Sequence, residues 1–132
     1  MARRPSLSPA AHDEHFKARN APDGENARLM ANVCLVAIYQ WWEERFRPNI
    51  AEFMSRDSKE IASPVMGDLR LIRISIIHGK GKAKPNIKNC QILQWFREGE
   101  EIAITQALFR EMIIQIYKGM DRLFEDLATI KP

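Results

Sequence analysis

The stretch Ser63-Pro64-Val65-Met66-Gly67-Asp68-Leu69-Arg70-Leu71-Ile72-Arg73-Ile74-Ser75-Ile76-Ile77-His78-Gly79 decides the fold and holds the candidate chemistry. A hydroxyl cap followed by proline at the first helical position is a strong helix start. Gly79 is a natural helix stop. Between them, Val65, Leu69, Ile72 and Ile76 form one apolar stripe, and Met66, Arg73 and Ile77 lie on a neighbouring one. The spacing predicts a helix over 64–78. His78 then falls at the C-terminal end, where the helix dipole favours an imidazolium. Arg73, five residues earlier, lies about 140° around the axis. The two side chains diverge along their own helix, so a substrate or a second subunit must meet both for them to act together.

Downstream, the chain stays basic. From Leu69 to Arg97 there is no Asp or Glu, but there are Arg70, Arg73, Lys80, Lys82, Lys84, Lys88 and Arg97. Gly79 to Pro85 reads as a flexible basic loop. Ile87 to Phe96 is ambiguous between a short strand and an amphipathic turn. Glu98-Gly99 marks a turn, after which Glu101 to Thr105 is free to pair back as a strand. Thr105 is placed to cap a last helix carrying Leu108, Met112, Ile116, Tyr117, Met120, Leu123 and Leu127 at helical spacing.

Upstream, Pro22-Asp23-Gly24 reads as a turn leading into a long helix from about Glu25 to Phe46, with Pro48 as its stop. Leu29, Val33, Val36, Ala37, Gln40 and Trp41 mark its main stripe. Met30, Cys34 and Ile38 broaden the apolar surface, and a face this wide needs partners on more than one side. Trp41 and Trp42 suit a core or helix-interface role, and Ile50 to Met54 a short helical turn. Residues 1–22 read as a mobile basic arm, because prolines and scattered charges interrupt any periodicity. His12 and His15 sit in that arm beside Asp13 and Glu14 and are read as solvated rather than as metal ligands. The fold expected is all-α: a single domain over 23–132, a small helical bundle with room for a short β-hairpin between its last two long helices.

The 132 residues allow one core, since a chain of this length buries roughly 68–70% of its unfolded surface. No apolar run approaches the roughly 18 residues of a membrane span. The start, Met1-Ala2-Arg3-Arg4-Pro5-Ser6, lacks the apolar core of a secretion signal, so a cytoplasmic protein is expected. Cys34 and Cys90 match no metal spacing and are expected as free thiols. Net charge is only +3, so the distribution of charge carries the argument rather than its sum. There is no Gly-rich nucleotide loop and no cluster of carboxylates for a two-metal nuclease. No cofactor and no metal are expected.

Arg73-Ile74-Ser75-Ile76-Ile77-His78, followed by Gly79, resembles the hallmark of the HEPN family. These are small α-helical domains, many of them metal-independent ribonucleases of toxin–antitoxin and antiviral systems, others inactive. The hallmark is an Arg, usually followed by a polar residue, with a His four to six residues after it near a helix end. Ser63-Pro64, Asp68-Leu69-Arg70, Asn89-Cys90, Trp95-Phe96 and Gly99 add to the likeness, which spans about residues 25–128. Ile74 departs from the pattern by standing where the polar residue usually follows.

The resemblance implies RNA as substrate and a homodimer in which two such sites face each other. It also implies a cognate antitoxin or defence-system protein as partner. The ribose hydroxyl would attack the adjacent phosphate, with His78 as general base or acid and Arg73 stabilising charge on the phosphate oxygens. Arg70, Ser75, Lys80, Lys82 and Lys84 would contact RNA, the lysines through its backbone. An alternative within the same family is a non-catalytic RNA-binding or protein-interaction module. A purely structural reading also stands: His78 caps helix carbonyls, Arg73 pairs with Asp68 or Glu44, and the lysines form a solvated loop.

Overall fold

The computed structural model describes residues 8–129 and is an all-α helical bundle. Five α-helices follow in order: α1 (Pro9–Asn20), α2 (Glu25–Trp41), α3 (Arg47–Phe53), α4 (Pro64–His78) and α5 (Gln106–Ala128). Short 3-10 turns occupy Ser58–Glu60 and Pro85–Asn89.

Part of the region expected as a mobile arm is helical. Ser8 caps α1 by accepting the Ala11 N–H, and Pro9 fits the first turn. None of the residues of α1 is buried. The turn after it has a task beyond reversing the chain. Asp23, at φ 61°, accepts the N–H of Gln106 at 2.6 Å. It thereby satisfies a free donor at the start of α5, where Thr105 also accepts from Leu108.

Pro48 does not stop the first long helix as expected. The helix widens into a π turn over Trp42–Phe46 and continues as α3, with Pro48 in the first turn of that helix. The N–H of Arg47 reaches back five residues to the carbonyl of Trp42. A proline ring clashes with the carbonyl four residues earlier in a regular helix, and a wider turn relieves that clash.

The buried face of α2 also differs from the expected stripe. Ala31, Leu35, Tyr39 and Trp42 are buried, whereas Leu29 and Val33 are 54% and 61% exposed. This helix is apolar nearly all round, so periodicity alone cannot say which side meets the core. α4 packs on α2 with Val65, Met66, Leu69 and Ile72 buried, and α5 closes the bundle with Met112, Leu123 and Leu127. Gly119 of α5 lies so close to α4 that a Cβ there would stand 2.9 Å from Val65 Cγ1. Trp42 stacks on Phe46 at 5.4 Å, and Phe46 meets Phe124 edge-on at 6.2 Å, joining the end of α2 to α5.

The expected hairpin is absent from the described residues. Ile87–Phe96 forms a 3-10 turn and extended coil, not a strand. The segment expected as its partner pairs further back, through a single antiparallel bridge between Lys82 and Glu101. Ala83 donates to the Glu100 carbonyl, Gly99 to the Ala83 carbonyl and Ile102 to the Gly81 carbonyl. This long connection buries Ala83, Ile87, Cys90, Leu93, Ile102 and Ile104, so it completes the core rather than lying over it. Among the described residues, no helix is long and apolar enough to cross a membrane.

Candidate functional site

Helix α4 has two working faces, and its polar residues divide between them. Asp68 and Ser75 are seven residues apart and therefore share one face. Both are buried, at 2% and 0% exposure. Asp68 Oδ1 accepts the N–H of Gln91 at 2.8 Å, and Oδ2 accepts those of Ile92 at 2.6 Å and Leu93 at 2.8 Å. Ser75 Oγ accepts the N–H of Lys84 at 2.9 Å. These two groups fasten the long connection onto α4. Ser75 is thereby corrected from an RNA contact to a buried tether. Asp68 is equally committed, so it is not the ion-pair partner of Arg73.

The Cys90 thiol lies beside this anchor, with Sγ 3.9 Å from the Asp68 carbonyl. Burial, with Asp68 adding to it, pushes the thiol up to about 12, so no thiolate nucleophile exists there near neutrality. Cys34 and Cys90 are both free, Cys34 half-buried.

The other face of α4 points to α2. Arg73 is half-buried, and its guanidinium carbon stands 5.4 Å from the centre of the Tyr39 ring. Its Nε is buried without a hydrogen-bond partner. Arg70, one turn earlier, is exposed. None of the ion pairs among the described residues involves Arg70, Arg73 or a lysine of the basic loop. Glu44, the other partner considered for Arg73, accepts from Gln40 instead, at 3.1 Å. The Tyr39 hydroxyl donates to Glu43 at 3.4 Å. Burial raises its pKa, Glu43 adds to the rise, and Arg70 and Arg73 act against it.

Between α2 and the start of α4 lies a cavity of about 320 Å³, lined by Tyr39, Glu43, Arg47, Ser63, Met66 and Arg70 among others. Arg47 is a structural residue that sequence reading missed. Its Nε donates to the carbonyls of Ser58 and Ile61 at 2.7 and 2.8 Å, and Nη1 contacts Glu43 at 3.3 Å. It gathers the segment between α3 and α4 onto the π turn that follows α2. Ser63 occupies the cap position of α4, but its hydroxyl caps nothing and has no hydrogen-bond partner.

His78 ends α4 with its side chain exposed, and Gly79 follows. Gly79 is required by space rather than by a left-handed backbone. Its φ is −96°, but a Cβ there would stand 2.6 Å from the Ser75 carbonyl and closer still to that of Lys82. The left-handed positions come next, Lys80 at φ 54° and Gly81 at φ 80°. Lys80 and Lys82 are exposed beside His78, and Lys84 is half-buried. The loop is acid-free in sequence but not in space. The bridge to Glu101 and the bonds to Gly99 and Glu100 bring an acidic turn against it.

The structure therefore separates the expected site residues into three places. Arg70 and Arg73 share the α2-facing side, Ser75 is inside, and His78 with Lys80 and Lys82 forms the helix end. Within one chain Arg73 and His78 remain apart on α4, separated by about 7.5 Å along the axis and about 140° around it. No protein-family model, curated protein or solved structure matches this chain.

Proposed function

We propose that this chain is a HEPN-like endoribonuclease that cleaves RNA without a metal ion, as a homodimer whose composite site uses Arg73 and His78. The observation that carries the proposal is the geometry at the end of α4. An exposed imidazole, free of ion pairs, stands at a capped helix terminus, and Arg73 brings an unpaired cation to the same helix. In this reading His78 removes the proton of the ribose 2′-hydroxyl, whose oxygen attacks the neighbouring phosphorus. The bond to the 5′ oxygen breaks, that oxygen takes up a proton, and the products are a 2′,3′-cyclic phosphate and a 5′-hydroxyl end. An Arg73 guanidinium stabilises the charge growing on the phosphate oxygens. Lys80 and Lys82 attract the backbone irrespective of sequence.

The dimer is supported by apolar surface that the bundle leaves outside. Leu29, Met30, Val33 and Trp41 of α2 and Ile114, Tyr117 and Phe124 of α5 are all exposed. A groove of about 670 Å³ runs between these helices, with Met30, Cys34, Phe109 and Ile113 in its lining. A cytoplasmic location and a cognate antitoxin or defence partner belong to the same proposal.

A second reading is a non-catalytic RNA-binding or protein-interaction module. It is favoured by Arg73 lying over Tyr39 and by Ile74 in place of a polar residue. RNA digestion in excess chelator separates the two. The ribonuclease reading expects cleavage by the wild type and none by His78→Ala. Cleavage at equal rates by both proteins removes His78 from the mechanism, and stable RNA capture without turnover selects the second reading.

A further inference from the structure

We infer that the seam between α2 and α4 is a docking surface for an acidic amphipathic helix of a partner protein. Arg28, Arg70 and Arg73 meet its carboxylates, and Leu29 and Ile77 meet its apolar face. The inference does not rest on RNA cleavage and makes no use of His78.

Two antiparallel helices build the seam. Trp42 and Glu43, in the π turn after α2, stand around one cavity with Met66 and Arg70, and Tyr39 lies under Arg73. As α4 advances from Met66 to Arg73, the chain opposite it runs back from Trp42 to Tyr39. Arg28, Asn32 and Tyr39 are spaced by four and seven residues and share one face of α2. Arg70, Arg73 and Ile77 are spaced by three and four and lie side by side on α4. From Arg28 to Tyr39 the seam is about 16 Å long, three helical turns.

Charge is the first observation. None of the ion pairs among the described residues includes Arg28, Arg70 or Arg73. The Nε groups of Arg28 and Arg73 are buried without a hydrogen-bond partner. The carboxylates of these elements are engaged elsewhere: Glu25 pairs with Arg19, Glu43 with Arg47, and Asp68 holds three backbone amides. A row of guanidinium groups without counter-charge selects carboxylates, which the planar fork grips in two-pronged contacts.

The second observation is apolar surface. Leu29 is 54% exposed and Ile77 45% exposed. Val36 and Ile74, on the same sides of their helices, are half-buried. Cations interleaved with uncovered aliphatic side chains match an amphipathic helix, whose apolar stripe fills the groove between two helices while flanking carboxylates reach its edges. Nucleic acid matches this face less well. Bases stack on aromatic rings, and the ring of Tyr39 is buried beneath Arg73. A phosphate backbone leaves Leu29 and Ile77 in water.

The probe is a synthetic helix of about 18 residues, five turns, with leucines along one face and glutamates flanking them. A control peptide carries lysine in place of each glutamate. Binding to the full chain is measured by calorimetry, with amide chemical shifts read in parallel. The inference expects saturable binding of the glutamate peptide, none of the lysine peptide, and shifts at Leu29, Asn32 and Ile77. Arg70→Glu, an exposed change, should weaken binding about tenfold or more, the scale of one charge-assisted contact. Ile77→Ser should weaken it about fivefold, the scale of one partly covered aliphatic side chain. Leu29→Ser repeats the apolar test from the other helix. No saturable binding, equal binding of the lysine peptide, or shifts confined to Met30, Cys34 and Ile113 of the α2–α5 groove overturns the inference. Weakening by Arg70→Glu with none by either serine variant also overturns it, and a uridine oligonucleotide bound with that same pattern makes the seam a nucleic-acid path. A wild-type dimer that Ile77→Ser dissociates assigns the seam to a second copy and equally overturns it. Because no RNA is cleaved in any arm and His78 is intact, a negative result leaves the ribonuclease proposal untouched.

Discussion

Replacing Asp68 by Asn is the most exacting perturbation of this fold. The two side chains have nearly the same shape, so the effect isolates charge and acceptor number. Asp68 offers two oxygens to three backbone N–H groups, all between 2.6 and 2.8 Å, and is 2% exposed. An amide offers one oxygen. Its best orientation places that oxygen at the Oδ2 position and keeps the bonds from Ile92 and Leu93. The –NH₂ group then faces the N–H of Gln91, donor against donor. One charge-assisted bond is lost, at about 1.5–3 kcal/mol, and the two that remain weaken to neutral strength. Relief of the buried charge offsets part of this. A net loss of about 2–4 kcal/mol follows, against a total stability of about 5–15 kcal/mol for a domain of this kind. Urea unfolding at neutral pH gives the difference as a shift in midpoint at unchanged slope. Hydrogen exchange should show the amides of Gln91, Ile92 and Leu93 losing protection before those of α4. A loss below about 0.5 kcal/mol, within the range of ordinary surface substitutions, would refute the anchoring role.

Gly79→Ala should destabilise the fold by about 1–3 kcal/mol, because the new methyl meets the Ser75 and Lys82 carbonyls; thermal unfolding at or above the wild-type midpoint would contradict this. The Tyr39 hydroxyl should ionise above the ordinary tyrosine value of 10.0, as followed by ultraviolet absorbance. Its folded pKa is raised, so the unfolded chain loses the proton first. Stability is full below about pH 10 and falls as pH rises through the folded value, and Tyr39→Phe should flatten that alkaline fall. If the site is completed across a dimer, mixing Arg73→Ala with His78→Ala protomers should restore RNA cleavage that neither variant shows alone. Mixtures as inactive as their components would argue against a composite site.

The limits of α4 were legible because Pro64 suits a first helical turn and Gly79 stands where a side chain would meet the Ser75 and Lys82 carbonyls, although the Ser63 hydroxyl caps nothing. α5 was legible for the same reason, through Thr105 and one well-spaced apolar stripe, although Tyr117 is 71% exposed. The orientation of α2 was not, since apolar residues cover most of its surface and only tertiary packing selects Ala31, Leu35 and Tyr39. Pro48 misled because a π turn absorbs its clash, and no local pattern announces such a turn. At the candidate site, the placement of Arg70, Arg73 and His78 along α4 followed from helical spacing. The burial of Asp68 and Ser75 left a signal that went unread, two small polar residues seven apart inside an apolar stripe. The acidic turn beside the basic loop is a long-range pairing, visible only once Lys82 and Glu101 are joined.

Cleavage through the ribose hydroxyl by a site containing His78 leaves a chemical signature on the product ends. Mass analysis of the ends of RNA fragments formed in excess chelator tests it most directly. The wild type should give 2′,3′-cyclic phosphate and 5′-hydroxyl ends, and a folded His78→Ala protein should leave the RNA intact. Fragments carrying 5′-phosphate ends, or the same fragments from both proteins, would contradict it.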